Sequence, residues 1–334
     1  MATKRTSREA TISDIAAAAG VSKATVSRVM NGVVTVNEEI AQRVRAAVAE
    51  LGYSPSATAR SLSLGESRTV GVVVPDLANP MFHQVLHGLN RAAERDGYRV
   101  LVADTQEHSD AESETVLDIR NRTDAIALFA PRMSREKLLE LLPNISPVVV
   151  FNRTTGKRAG AVLIDYADGI GQVARHLIAL GHTRIAYLAG PPQARSNMAR
   201  QDGLDLVSEE HPDVEIVNVP CGSSFEDGYD AWPAVSETRA TGVIAFNDVV
   251  ALGFLGRLSE EGVRVPEDLS VSGFDDIPFS RYSSPSLTTM TARLGDVGER
   301  IWTTLLAQMR GEADLEPTMF APELAARSST GPRP

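Results

Sequence analysis

Four side chains at i, i+1, i+4 and i+5, Lys23, Ala24, Ser27 and Arg28, form the most chemically specific pattern in this sequence. On a helix that spacing puts a guanidinium, an ammonium, a hydroxyl and a methyl on one face. A guanidinium fork matches O6 and N7 of guanine, and an alanine methyl can meet the methyl of thymine. Val26, Val29 and Met30 fall on the opposite, inward face. A solvated Lys/Arg face on an ordinary αα-hairpin has the same spacing, so the pattern alone leaves both readings open. Other reactive side chains are sparse. His83 and His87 stand at i, i+4 with no third metal ligand, and read as an incidental pair. His176 and His182 read as structural. The single cysteine, Cys221, has no evident histidine partner and excludes both an internal disulfide and a cysteine-based zinc site. The chain lacks G-x-G-x-x-G, G-x-x-x-x-G-K-[ST], H-E-x-x-H and G-x-S-x-G, so no cofactor, metal or catalytic constellation is expected.

The basic face must be held by short helices. Thr11-Ile12-Ser13-Asp14 is a capping box opening an alanine-rich helix that stops at Gly20. Ser22 can cap a second helix running to Met30, which Asn31-Gly32 ends. Asn37 can cap a third, with Ile40, Val44, Val48 and Leu51 on one stripe and Gly52 as its stop. After the break at Tyr53-Ser54-Pro55, residues 56–64 can form one short helix that needs a partner to be stable.

From residue 66 onward strand-length apolar runs alternate with helical stretches. Runs such as Val70–Val74, Ala125–Phe129, Val148–Phe151 and Val243–Phe246 are separated by stretches such as Pro80–Asp96, Asp110–Asn121, Ile170–Leu180, Phe225–Arg239 and Val249–Glu261. Asp248 is expected to cap the last of these. The alternation predicts an α/β fold of doubly wound parallel sheets, with ligands at the carboxyl ends of the strands. Its length suggests two lobes.

The 334 residues are 43% hydrophobic and 23% charged, ordinary globular usage, which excludes a disordered or fibrous chain. No run reaches the length of a membrane span, and the basic N-terminus lacks the apolar core of a secretory signal, so a cytoplasmic protein is the simplest expectation. The net charge is −10, and it is unevenly spread. Residues 1–65 carry eight Lys/Arg and five Asp/Glu, +3; the remaining 25 Lys/Arg and 38 Asp/Glu give residues 66–334 a charge of −13. A basic head on an acidic body suggests that the head alone approaches a polyanion.

The run TISDIAAAAGVSKATVSRVMNG, followed by YSPSATARSLSLGES, resembles the N-terminal domain of the LacI/GalR family of bacterial transcriptional regulators. TVGVVVPDLANPMF, LIALGHTRIAYLAGP, GVIAFNDVVALG, VRVPEDLSVSGFDD and PSLTTM continue the resemblance in order through nearly the whole chain. It implies a helix-turn-helix DNA-binding domain at 1–54 and a hinge helix at 55–65. Residues 66–334 would form a two-lobed, periplasmic-binding-protein-like effector and dimerisation domain. Lobe 1 would span about 68–164 and 294–320, lobe 2 about 165–293 and 321–330.

Carried over residue by residue, the resemblance implies DNA contact by Thr11, Ser22, Lys23, Ala24, Thr25, Ser27, Arg28 and Asn31, and by Ser56, Ala59 and Leu62 of the hinge. Leu62 would wedge into the minor groove; its alternative role is packing within a linker. Arg200, in the pattern Ser196-x3-Arg200-x2-Gly203, together with Asp76, Phe82, Asn152, Asn247 and Asp275, would line the effector cleft. The implied partners are a near-palindromic double-stranded operator, a small-molecule effector and a second copy of the chain; no membrane is implied. Two departures bear on the effector. Ser223 stands where many relatives carry a stacking aromatic, with Phe225 two places later, and Thr291-Ala292-Arg293 replaces a commoner polar-Gln-Pro run. Without that platform the expected effector is a sugar or sugar derivative rather than a purine, unless Phe225 or Phe82 supplies the surface. A solute-binding protein without a regulatory role is the alternative function, and a sugar-processing enzyme a more distant one.

Overall fold

The computed structural model describes residues 10–30, 36–53, 66–312 and 315–334. They fall into two compact units, one ending at Arg68 and one running from Thr69 to Pro334.

The first unit is three helices: α1 (Ile12–Ala19), α2 (Lys23–Met30) and α3 (Glu38–Leu51). The capping box forms, with the Thr11 N–H and hydroxyl both donating to Asp14 Oδ2 at 2.8 and 2.7 Å. Gly20, at φ 64°, takes the left-handed turn that closes α1 and lets Val21 N–H reach the Ala16 carbonyl. Ser22 Oγ accepts the Thr25 N–H, and Asn37 Oδ1 accepts the Glu39 N–H. Ile15, Ala16, Ala19, Val26, Val44 and Ala47 make the core. The expected α3 stripe is therefore shifted: Ala41, Val44 and Ala47 are buried, while Leu51 is 42% exposed. Alanines on both α1 and α3 allow a close approach that larger side chains would block. Asn31 and the segment carrying Ser56, Ala59 and Leu62 lie outside the described residues.

The second unit holds two parallel sheets. Six strands, β1 (Thr69–Val74), β2 (Arg99–Asp104), β3 (Ala125–Phe129), β4 (Val148–Phe151), β5 (Gly160–Ile164) and β11 (Thr318–Phe320), run in the order β11-β5-β4-β3-β1-β2. Four more, β6 (Arg184–Ala189), β7 (Glu215–Pro220), β8 (Gly242–Ala245) and β9 (Ser270–Ser272), run β7-β6-β8-β9. Central strands such as Ala125–Phe129 are buried throughout, as strands covered on both faces must be. The covering helices are α4 (Pro80–Arg95), α5 (Glu112–Arg120), α6 (Arg135–Ile145), α7 (Tyr166–Ala179), α8 (Arg195–Glu210), α9 (Phe225–Asp230), α10 (Trp232–Thr238), α11 (Asp248–Glu260), the short α12 (Pro278–Tyr282) and α13 (Leu294–Met309). The expected helix over 225–239 is two helices, broken at Ala231 ahead of Trp232-Pro233. The chain passes between the sheets after β5, before α13 and after β11. The short antiparallel pair β10 (Thr289–Thr291) and β12 (Glu323–Ala325) lies on two of these passages, with Met290 opposite Leu324.

His182 is structural: its ring nitrogens meet Thr241 Oγ1 at 2.8 Å and Ser270 Oγ at 3.1 Å. No helix among the described residues is long and apolar enough to cross a membrane.

Candidate functional site: a base-reading face and an effector cleft

On α2, Lys23, Ala24 and Arg28 are exposed and Ser27 is half-buried, while Val26 is fully buried and Val29 and Met30 pack against the core. The helix thus presents the polar face expected of it. Ser22 and Thr25 are tied to each other, hydroxyl to hydroxyl, at 2.9 Å. Thr11 is committed to its cap. Arg28 Nε reaches the Ala24 carbonyl at 3.4 Å, a weak tether that leaves the outer edge of the fork unclaimed.

In the second unit, Asp76, Phe82, Asn152, Arg200, Asn247 and Asp275 line one narrow cavity. Topology explains why residues 200 positions apart converge. Asp76 follows β1, Asn152 follows β4, Asn247 follows β8 and Asp275 follows β9, so each leaves the carboxyl end of a parallel strand. Four non-glycine residues lining the cavity have positive φ: Ala130 at 41°, Asn152 at 58°, Glu107 at 60° and Asp275 at 115°. Such backbone is costly and persists where the surrounding structure fixes it, often at binding sites.

Arg200 is 1% exposed, and its guanidinium carbon lies 4.2, 4.3 and 4.5 Å from the ring centres of Tyr166, Phe274 and Phe246. Nη1 donates to the Ser196 carbonyl, whereas Nε is buried without a partner. Asp275 is 4% exposed, and no side-chain hydrogen bond to it is found among the described residues. Burial drives its carboxyl well above the ordinary aspartate range; the Arg200 charge opposes the shift and Asp248 adds to it. An orphaned donor and an unpaired acceptor in one cavity suit a ligand carrying both kinds of polar group. Asn152 and Asn247 are already engaged. Asn152 donates to Tyr166 Oη at 2.7 Å and accepts the Ile164 N–H. Asn247 donates to the Ser223 carbonyl and accepts the Val250 N–H.

The last contact corrects the capping assignment: Asn247, not Asp248, caps α11. Asp248 points away, accepting from Ile277 N–H, Ser280 Oγ and Thr289 Oγ1. Burial raises its carboxyl to about 7, while those three donors pull it down. Phe225 does not reach the cavity and is 46% exposed; Phe82 does, and Ser223 lies on the wall as expected. Ser196, of the Ser196-x3-Arg200-x2-Gly203 pattern, also lines it, and so do Tyr166, Phe246, Glu107 and Arg132, which the sequence did not single out. Their positions carried a signal: Tyr166 and Phe246 sit one or two residues past β5 and β8. Cys221 donates to the Asp227 carbonyl, and burial pushes its thiol up to about 12, so it is inert. Among the described residues no group of three or more metal-ligating side chains is assembled.

Residues 11–56 match the family model for bacterial regulatory proteins of the lacI family, and residues 174–330 match a periplasmic binding protein-like domain. Over 329 residues the chain is 32% identical to the HTH-type transcriptional repressor PurR of Vibrio atlanticus (strain LGP32), covering 96% of this chain and 98% of that protein. The crystal structure of the lac repressor dimer bound to operator and the anti-inducer ONPF superposes with a TM-score of 0.86 at 25% identity, over 97% of this chain and 100% of that one. A ribose-bound LacI family regulator from Enterococcus faecium gives a TM-score of 0.71 at 27% identity, over 79% and 99%.

Proposed function

Because the chain belongs to the lacI family of bacterial regulatory proteins and is a DNA-binding transcriptional regulator of that family, we propose that it acts as a cytoplasmic, homodimeric repressor. A sugar or sugar derivative bound between its two lobes would control its hold on DNA. In this reading residues 1–54 contact DNA, 55–65 form the hinge with Leu62 as the minor-groove wedge, and 66–334 bind effector and dimerise. Within that last segment, lobe 1 covers about 68–164 and 294–320, and lobe 2 about 165–293 and 321–330. Lys23, Ala24, Ser27 and Arg28 read base edges. Ser22 and Thr25 position the start of α2 against the backbone, and Thr11 fixes α1.

The observation that carries the reading is the convergence of Arg200 and Asp275, each with unmet polar capacity, on one cavity of a chain that also presents a basic recognition helix. The lac repressor structure, a dimer on operator with an anti-inducer, and the ribose-bound regulator support the same assignment. A ligand changes DNA affinity only if it binds the two lobe arrangements unequally. The passages at β10 and β12 are the places where the lobes would hinge.

Footprinting on genomic fragments separates a regulator from a solute-binding protein. The full chain should protect a near-palindromic site, and a variant lacking residues 1–65 should protect none. Equal protection by both would overturn the assignment.

A further inference from the structure

Beside the narrow cavity, and sharing Asn152, Tyr166, Arg132 and Ser196 with it, is a wider chamber of about 500 Å³. Four arginines line it, Arg132, Arg135, Arg153 and Arg195, and no aspartate or glutamate does. Arg132 is neutralised by two bonds to Glu107, at 2.5 and 2.7 Å. Among the described residues the other three form no ion pair with a carboxylate, although Glu112 and Glu136 act on them from farther off. Arg153 is 8% exposed, its Nη1 pinned to the carbonyls of Pro131 and Met133 at 2.7 and 2.8 Å. Its burial and the Arg195 charge work against its proton, the nearby Glu112 carboxylate favours it, and the charges of Arg132 and Arg135 add to the opposition. Arg195 Nη1 donates to the Met198 sulfur at 3.1 Å. Arg135 and Arg195 are also the first residues of α6 and α8, so two helix N-termini open on the chamber. Ala194 brings no capping side chain to α8.

Cations cost free energy when gathered, and here three gather with only partial compensation, from Glu112 behind Arg153 and from Glu136 beside Arg135, in a segment whose net charge is −13. A buried, pre-positioned guanidinium and helix N-termini are the elements that bind oxyanions. We propose that the effector is a sugar bearing an oxyanion, a phosphate monoester or a carboxylate, whose anionic group docks among Arg135, Arg153 and Arg195 while its hydroxyls reach Asp275 and Arg200. This inference rests on the effector-cleft reading above.

Inorganic phosphate tests the chamber directly. At matched ionic strength it should raise the melting temperature of the full chain saturably relative to chloride, and Arg135→Ala/Arg195→Ala should abolish that rise. Calorimetry with ribose, glucose, their phosphate monoesters and glucuronate then ranks the ligands. The anionic members should bind at least tenfold more tightly than their parents, and the double variant should erase that preference; phosphate esters and glucuronate distinguish the two anions. Absence of saturable stabilisation by phosphate would overturn the proposal. So would a parent sugar that binds as tightly as its anionic derivative and is indifferent to the double variant. If that parent sugar is lost in Asp275→Ala, the effector cleft stands and only the anion chamber falls.

Discussion

Arg28 and Lys23 share a face but not a capacity to specify. The guanidinium is a planar fork that accepts one base-edge geometry, whereas the ammonium is a flexible point charge that accepts many. Arg28→Ala should therefore cost about 1–3 kcal/mol at the cognate site and relax preference at one base pair, and Lys23→Ala should weaken binding less and more evenly. Anisotropy against cognate and scrambled duplexes measures both; unchanged selectivity in Arg28→Ala would remove α2 from base readout. Asp275 shows the opposite economy, a residue that costs stability. Its carboxyl is buried, unpaired and carried on a backbone at φ 115°. Its folded proton affinity is raised, so the native state holds that proton over a range where the unfolded chain has released it. Stability therefore falls as pH climbs from about 3.9 through the folded value. Asp275→Asn, which tolerates positive φ, should raise stability by about 1 kcal/mol, roughly 2–4 °C, with a larger gain at pH 8 than at pH 4. Thermal melts across that range would contradict this account if the variant were less stable at pH 8.

Elements are held apart or together here by what fits between backbones. A Cβ on Gly298 of α13 would lie 2.0 Å from the Val85 carbonyl oxygen of α4, and one on Gly88 would lie 2.1 Å from the Gly295 carbonyl oxygen. The two helices thus pack backbone to backbone. Gly298→Ala should cost at least 1–3 kcal/mol, because the obstruction is main chain and cannot swing aside. Denaturant unfolding reads this, and an unchanged midpoint would contradict the packing. The same scale shows what could be read from sequence. Pro80–Arg95 announces itself through helical periodicity and Ala125–Phe129 through an unbroken apolar run. The three-residue strands β10, β11 and β12 have no periodicity to show, and their pairing is set by distant partners. The cavity residues Asp76, Asn152, Asn247 and Asp275 were legible through the resemblance, which sets each just past an apolar run of strand length. Arg200 in its aromatic enclosure was legible as a position, but its three rings come from different loops. Arg153 was legible beside Asn152 at the end of β4, but its grouping with Arg135 and Arg195 was not, since those two begin helices that only the fold brings near it.

At the scale of the whole molecule, the proposed regulator joins a basic DNA-reading unit to an acidic effector-binding unit through residues 55–65. Coupling between the two must appear as a free energy, about 1–3 kcal/mol in comparable systems, or roughly 5–150-fold in DNA affinity. The most direct test is anisotropy of a palindrome, selected by the full chain from random duplexes, titrated with and without the sugar derivative that most raises the melting temperature, for wild type and Asp275→Ala. The account predicts at least a fivefold ligand-dependent change in wild-type affinity. It predicts that Asp275→Ala keeps the ligand-free affinity within twofold and loses the change. An Asp275→Ala variant that retains the full response, or a ligand that leaves wild-type DNA affinity unchanged, would contradict it.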